Sequence, residues 1–453
     1  TTSRRDWLWR SGGGLGGLAL AWLLNGESGG GSIARADDAL GRRRASSGGG
    51  LHHRARVKRV IQVFLNGGAS QMDLFDYKPQ LEKRHGEQVD FGIKAAATSV
   101  PGALMKCPFP FKQHGQCGQW VSDVLPHLAT CVDDMAFLMA MRSKSNVHGP
   151  ASYMQNTGFI LPGFPSFGSW ISYALGRITD NLPTFVVIPD TRGLPYNNMG
   201  NFSSAFLPAS HAATVIKPTA PVPIADLQPP ATATFITRDS QSEGLALLQS
   251  LNSRHRESRP GDSRLDGRIE SYELAARLQV SAPEVLDVAG ETAAMHKQYG
   301  LDDPTTAAFG RHCLVARRMI ERGVRFVQVW SGAGGASQNW DNHTDIPKEL
   351  PFIAKQVDKP LAGLLNDLKA RGLFDETLLI CSTEFGRMPF TQGSVGRDHN
   401  AGTFVTWLAG AGIKGGSRHG ESDEFSYESV IDTTYCYDLH ATVLHLMGID
   451  HER

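Results

Sequence analysis

The chain of 453 residues carries 45 Lys and Arg against 45 Asp and Glu, with 41% hydrophobic residues and 49 glycines; this is enough apolar material for a large buried core and excludes a disordered or fibrous protein. Zero net charge removes the general electrostatic case for nucleic-acid binding, and no uninterrupted apolar run reaches the roughly 18 residues of a transmembrane span. The six cysteines (Cys107, Cys117, Cys131, Cys313, Cys381, Cys436) show no C-x-x-C spacing, which argues against a zinc ribbon or a thioredoxin-like site and leaves disulfide pairing open.

At the start of the chain, Arg4 and Arg5 precede a Gly- and Leu-rich stretch from Gly12 to Leu24, and Ala34-Arg35-Ala36 forms a small-x-small site. This order reads as a twin-arginine export signal over residues 1–36. The alternative, an amphipathic helix, is disfavoured by the five glycines between Gly12 and Gly17. The same run matches G-x-G-x-x-G but follows no strand, so it is not a dinucleotide site. Export by this route implies folding in the cytoplasm, often around a cofactor or metal, before crossing to the periplasm or cell envelope. Residues 37–56 have no apolar period and read as a flexible linker, so the folded body begins near Val57.

Four apolar, β-rich runs follow, each ending in polar residues. Val57–Leu65 runs into Asn66-Gly67-Gly68-Ala69-Ser70, and Met135–Met141 into Ser143–His148. Val324–Trp330 runs into a Gly-rich loop and Trp340-Asp341-Asn342-His343, and Thr377–Ser382 into Thr383-Glu384-Phe385-Gly386-Arg387. Helical patterns over Gly149–Asn156, Phe309–Arg322 and Leu361–Lys369 alternate with these strands. That alternation predicts an α/β fold, a mainly parallel sheet covered on both faces, with its ligand site outside the carboxyl ends of the strands. A fifth run, Phe404–Leu408, follows Gly396-Arg397-Asp398-His399-Asn400, which must then loop over the same edge. Residues 189–300 read as an insertion packed on this core, or alternatively as a separate small domain.

The polar strand ends supply the candidate ligands. His343 stands two residues after Asp341 in a Gly-rich loop, and His399 directly follows Asp398; imidazole with carboxylate suits a divalent transition metal such as zinc or manganese. The competing reading is that Asp341 and His343 only close a loop. Glu384, expected to be buried, needs a cation or an arginine to stay charged, and Arg387 is the arginine at hand. His440 and His445 on the C-terminal helix read as surface or packing residues, with Asp438 as its cap. No G-x-S-x-G elbow is present, which leaves a serine-hydrolase triad at Ser70 weakly supported.

The stretch from Asp375 to Gly386 resembles the sulfatase and alkaline-phosphatase superfamily pattern D-N-T-L-V-I-F-T-S-D-H-G, and Asp438–Gly448 resembles its C-terminal D-I-x-P-T-L-L-D-L-A-G helix. More closely, the export signal with N-G-G-A-S-Q-M-D, N-V-H-G-P, F-V-Q-V-W, E-F-G-R and G-R-D-H-N resembles the DUF1501 family of exported bacterial proteins of planctomycete type. The resemblance implies an alkaline-phosphatase-like three-layer α/β/α sandwich over 57–453 with its C-terminus truncated. It also implies a metal-dependent hydrolase of anionic phosphate or sulfate esters, holding zinc, manganese or calcium.

By position, the resemblance puts Asn66 at the first-strand ligand and Glu384 with Phe385 at a late ligand pair, of which Phe385 is lost. It puts Asp341, His343 and His399 around a remaining metal, to which Asp398 is a further candidate from its place beside His399, and His148 where the nucleophile stands. There His148 acts as nucleophile, general acid or ligand, and Arg387 and Arg397 clamp the anionic substrate. The absence of C-x-P-x-R and S-x-P-x-R disfavours a formylglycine sulfatase. The alternative is a binding protein of the cell envelope that keeps the fold but has lost the chemistry.

Overall fold

A computed structural model describes residues 51–452 apart from 93–99, 226, 228–236, 261 and 336–338. The expected export signal over 1–36 and residues 37–50 of the expected linker lie outside the described residues. In chain order the strands are β1 (Arg59–Leu65), β2 (Phe111–His114), β3 (Gln119–Ser122), β4 (Met135–Arg142), β5 (Phe185–Ile188), β6 (Thr214–Val215), β7 (Phe326–Ser331), β8 (Thr377–Ser382), β9 (Gly386–Gln392), β10 (Gly396–Asn400), β11 (Phe404–Gly410), β12 (Ser417–His419), β13 (Glu421–Ser422), β14 (Ser429–Ile431) and β15 (Thr434–Tyr435).

A nine-stranded sheet runs in the order β12-β4-β11-β8-β1-β7-β5-β6, with β15 also on β4. Every pairing is parallel except those of β11, which is antiparallel to both β4 and β8. Side chains alternate across a strand, and β1 is apolar at nearly every position, so it feeds a core on each face. Ile61, Val63 and Leu65 pack with Leu314, Val315, Leu361 and Leu365 from helices Ala307–Glu321 and Ile346–Ala370. Val60 and Phe64 pack with Trp170, Ile171, Leu439 and Val443 from helices Phe167–Leu175 and Cys436–Leu446. The result is the three-layer α/β/α sandwich with a mainly parallel sheet that the sequence predicts.

All five expected strands are present. Because β11 alone is antiparallel, its first residue lies at the edge where the parallel strands end, and that brings Gly396–Asn400 to the site. This segment is not a loop: it is β10, which forms an antiparallel hairpin with β9. The helix His148–Thr157 starts at that edge, six residues after β4 ends. Residues 189–300 include helix Ser263–Leu286, whose Leu278, Ala282 and Val285 join the first core. In the C-terminal helix His440 is a packing residue, stacked on Phe167 at 4.4 Å with Nε2 at 3.0 Å from the Gln155 carbonyl. Asp438 closes the helix start by accepting the Tyr435 amide at 2.7 Å. None of the described helices is long and apolar enough to cross a membrane.

Candidate metal centre

Four side chains converge beyond the carboxyl edge of the sheet. Asp341 and His343 come from the loop after β7, which is pinned by the Trp340 indole bonding the Ser331 hydroxyl at 3.1 Å and by Asp345 capping the next helix. The β9–β10 hairpin lies along this loop, with Arg397 N donating to Asn342 O at 3.2 Å and Ile346 N to Val395 O at 3.1 Å; it delivers His399. His148 is the first residue of its helix. One ligand atom from each of His148, Asp341, His343 and His399 lies within 4.8 Å of all the others.

The Asp341 carboxylate is the hub. Its Oδ1 is 2.7 Å from His343 Nε2 and 3.1 Å from His399 Nε2, and its Oδ2 is 3.2 Å from His148 Nε2. Each imidazole is held from behind through Nδ1. That of His148 donates to Glu384 Oε1 at 2.7 Å and that of His399 to the Asn146 carbonyl at 2.8 Å, while that of His343 faces Gln392 Oε1. Protons on Nδ1 leave the three Nε2 lone pairs turned inward, the arrangement by which metal-binding histidines are oriented.

The donor set tests whether a cation fits. His343 Nε2 and His399 Nε2 approach to 2.8 Å, so two neutral rings would oppose lone pairs there. His148 Nε2 is buried with no well-directed hydrogen bond. Three imidazole nitrogens and one carboxylate are the ligand types of zinc, whose bonds of about 2.0–2.1 Å place neighbouring ligands roughly 3.3 Å apart in a tetrahedron. The residues fit such an ion.

The electrostatics follow from this packing. In the metal-free chain burial works to raise the Asp341 carboxyl, but His148, His343 and His399, each donating whenever its Nε2 carries a proton, and the charge of Arg387 outweigh it and hold the group well below the usual carboxylate range. Burial, with the charges of Arg387 and His148, pushes His399 down to about 4 against the pull of Asp341. For His148 the order reverses: burial lowers its value, yet in the metal-free chain the carboxylates of Asp341 and Glu384, one beside each ring nitrogen, raise it above the ordinary one.

The remaining expected site residues take other positions. Glu384 is fully buried and accepts from Gly67 N at 2.8 Å as well as from His148, so it stands behind a ligand and is not one of the four. Asp398, also fully buried, accepts the His399 amide at 2.7 Å. Asn66 donates from Nδ2 to the Gly332 carbonyl at 3.2 Å, and its Oδ1 is buried without a protein partner.

Neither arginine is available as a substrate clamp. Arg387 is fully buried; it donates to Asp341 Oδ1 at 2.6 Å and to the carbonyls of Gly67, Gly68, Trp340 and Arg397. Arg397 forms a fully buried ion pair with Asp73 at 2.7 Å and also binds the Met105 and Met388 carbonyls. The hairpin register shifts between Arg397 and His399, and this irregularity breaks the alternation that would have put both side chains on one face.

Sequence reading missed Tyr196, whose ring stacks on that of His148 at 4.3 Å between centroids and 6° between planes. Burial and the charge of Asp341 push its hydroxyl up to about 12. No nearby motif marks it; the paired Asn197-Asn198, both with positive φ, is the one local signal of a special turn.

A family model described as a protein of unknown function, DUF1501, matches residues 57–453. No curated protein sequence matches the chain. Among solved structures, the chain is similar to the PsFucS1 sulfatase from Pseudoalteromonas sp. at 13% identity and a TM-score of 0.37, over 88% of this chain and 69% of that one. It is similar to the lipoteichoic acid synthase LtaP from Listeria monocytogenes at 12% identity and 0.35, over 92% and 78%. It is also similar to alkaline phosphatase from the Antarctic bacterium TAB5 at 10% identity and 0.36, over 86% and 98%.

Proposed function

The chain belongs to the DUF1501 family, and from that premise we propose that it is an exported, metal-dependent hydrolase of phosphate or sulfate esters. The observation that carries the reading is the inward-facing set of His148, Asp341, His343 and His399. Three imidazoles favour zinc or manganese over calcium, which takes oxygen ligands. A divalent ion held there supplies the positive charge that polarises an ester oxygen and acidifies water. Export by the twin-arginine route to the periplasm or cell envelope is part of the same proposal, carried by Arg4 and Arg5.

The chain's own residues do the rest. Glu384 fixes His148 with its proton on Nδ1, so Nε2 presents a lone pair to the site; His148 therefore reads as a ligand, and a nucleophilic role would leave one of the four positions empty. Arg387 holds Asp341 ionised and oriented. With both arginines committed elsewhere, the start of helix His148–Thr157 is a positive feature beside the cluster, since its N-cap Val147 brings no side-chain acceptor and leaves amide N–H groups for an anion. Side-chain exposure is 26% at His343 against 7–11% at the other three, so substrate approaches over His343.

A second reading, a binding protein that keeps the fold without the chemistry, is favoured by one observation. All four tetrahedral positions can be filled by protein, and closed sets are typical of structural metal sites. Metal analysis of the purified protein with a panel of phosphate and sulfate esters separates the two. The hydrolase reading expects one divalent ion per chain and turnover, both lost in His148→Ala and His399→Ala. Metal without turnover leaves the second reading, and unchanged metal in His399→Ala sinks the ligand assignment.

A further inference from the structure

An imidazole held by a single hydrogen bond along its edge can still tilt about that bond. Glu384 holds His148 at Nδ1 in this way, and contacts with the faces of the ring set its plane. Phe385 lies against it at 4.9 Å with 34° between planes, whereas Tyr196 is parallel to within 6°. The Tyr196 oxygen accepts from Asn339 Nδ2 at 3.3 Å, and Asn339 Oδ1 accepts the Asp341 amide at 2.9 Å. One tyrosine therefore touches His148 through its ring and reaches the backbone of Asp341 through one amide.

The surrounding chain is shaped to deliver that ring. Asn197 and Asn198 take φ values of 66° and 50°, a conformation that non-glycine residues adopt at an energetic cost. Asn197 Nδ2 donates to the Gly149 carbonyl at 2.6 Å, in the first turn of the His148 helix, and Ser152 of that helix donates to Asn201 Oδ1 at 3.0 Å. Asn201 in turn binds the Tyr196 carbonyl. A Cβ on Gly149 would sit 2.8 Å from Asn197 Oδ1, and one on Gly334 would sit 2.8 Å from Tyr196 N. The contact at Gly334 is with backbone and leaves no room for a side chain, whereas at Gly149 an added Cβ would push the Asn197 amide aside.

We propose that Tyr196 is the positioning residue of the metal centre, setting the plane of His148 through its ring and the placement of Asp341 through Asn339. The inference rests on reading His148, Asp341, His343 and His399 as a metal site. It extends the site to a residue of the 189–300 segment, which contributes none of the four ligands. Partners behind metal ligands commonly change affinity by roughly 10–100-fold when removed.

The test uses the purified chain stripped of metal and titrated with cobalt(II) against a competing chelator, reading both affinity and the visible d–d spectrum. Tyr196→Phe keeps the ring but drops the bond to Asn339 and is expected to lose about threefold in affinity with a small spectral change, whereas Tyr196→Leu, which loses ring and hydroxyl together, is expected to lose roughly 10–100-fold in affinity and to shift the bands. Tyr196→Leu with wild-type affinity and spectrum overturns the inference while leaving the metal site standing; wild type that takes up no cobalt overturns the metal reading and the inference with it. Should Tyr196→Leu not fold, Asn197→Gly keeps the left-handed turn but drops the bond to Gly149. It is then expected to weaken cobalt binding several-fold, and no change there overturns the proposal.

Discussion

At Asp341 two oxygens meet three imidazoles and one guanidinium, and each partner limits what the others can do. Arg387 neutralises the carboxylate from one side, which keeps it ionised but also removes the arginine from any substrate. Glu384 is related to His148 as Arg387 is to Asp341: it fixes the ligand without joining the four. Replacing Glu384 by Gln keeps the size and one acceptor oxygen but removes the charge that stabilises the Nδ1 proton. Metal affinity is expected to fall by roughly 10–100-fold, read by chelator competition, with the unfolding midpoint of metal-free protein changed much less. An affinity equal to wild type would return Glu384 to the role of an ordinary buried carboxylate. The motif Asn66–Asp73 has a different task at this scale. Gln71 Oε1 accepts from Arg387 N at 2.9 Å and Gln71 Nε2 donates to Arg387 O at 3.0 Å, while Asp73 holds Arg397, so the motif clasps both strands of the hairpin that carries His399.

Among the elements, the turn after β1 decides whether the loop bearing Asp341 can approach. Gly67 has φ +124°, and a Cβ there would lie 2.6 Å from Asp341 N and 2.8 Å from Trp340 N. Gly67→Ala therefore forces both a disfavoured backbone conformation, worth about 1–3 kcal/mol, and a displacement of the loop. The expected result is a lower urea midpoint together with reduced metal content; a variant that keeps full metal occupancy would show that the loop tolerates the shift. The elements themselves were largely legible in sequence, because long buried strands such as β1 and β8 announce themselves as unbroken apolar runs. The short strand β5 (Phe185–Ile188) escaped notice next to Pro183. The β9–β10 hairpin escaped because β10 is polar yet buried and β9 offers only Met388 and Phe390, separated by Pro389, as an apolar alternation. The same polarity made Asp398 and Glu384 look like ligands and Arg397 like a substrate clamp. Sequence spacing shows that such groups reach one edge, but the facing of each side chain depends on the register shift between Arg397 and His399 and on partners more than 300 residues away, such as Asp73 for Arg397.

Over the whole molecule, the buried histidines set how the fold responds to acid. Burial pushes His211, His312, His399 and His440 down to about 4; the charge of Arg177 adds to it at His211, while at His312 burial prevails against the pull of Asp190 with a smaller push from Arg311. Each is neutral in the folded chain and takes up a proton near 6.5 once unfolded. The unfolded state thus binds more protons between these values, and stability rises with pH there. The contribution is complete above about pH 6.5 and is lost as pH falls to about 4, on the order of 3 kcal/mol for a fully buried ring such as His312 or His440. His148 acts in the opposite sense: its raised value stabilises the fold at low pH and the gain is lost as pH rises, but it is one group against four. Carboxylates held low by arginine, such as Asp190 by Arg192 and Glu291 by Arg317, withdraw their support only below the ordinary carboxylate range, so they do not account for loss at pH 6 to 5. Urea unfolding of metal-free protein is expected to give a level midpoint from pH 8 to 7 and a steady fall from about 6.5 downwards. His440→Gln, which cannot take up the proton, should flatten part of that fall while lowering the midpoint at neutral pH through its lost stacking on Phe167. A midpoint that holds constant from pH 7 to 5 would mean that the burial of these rings is relieved by water or local opening before they titrate.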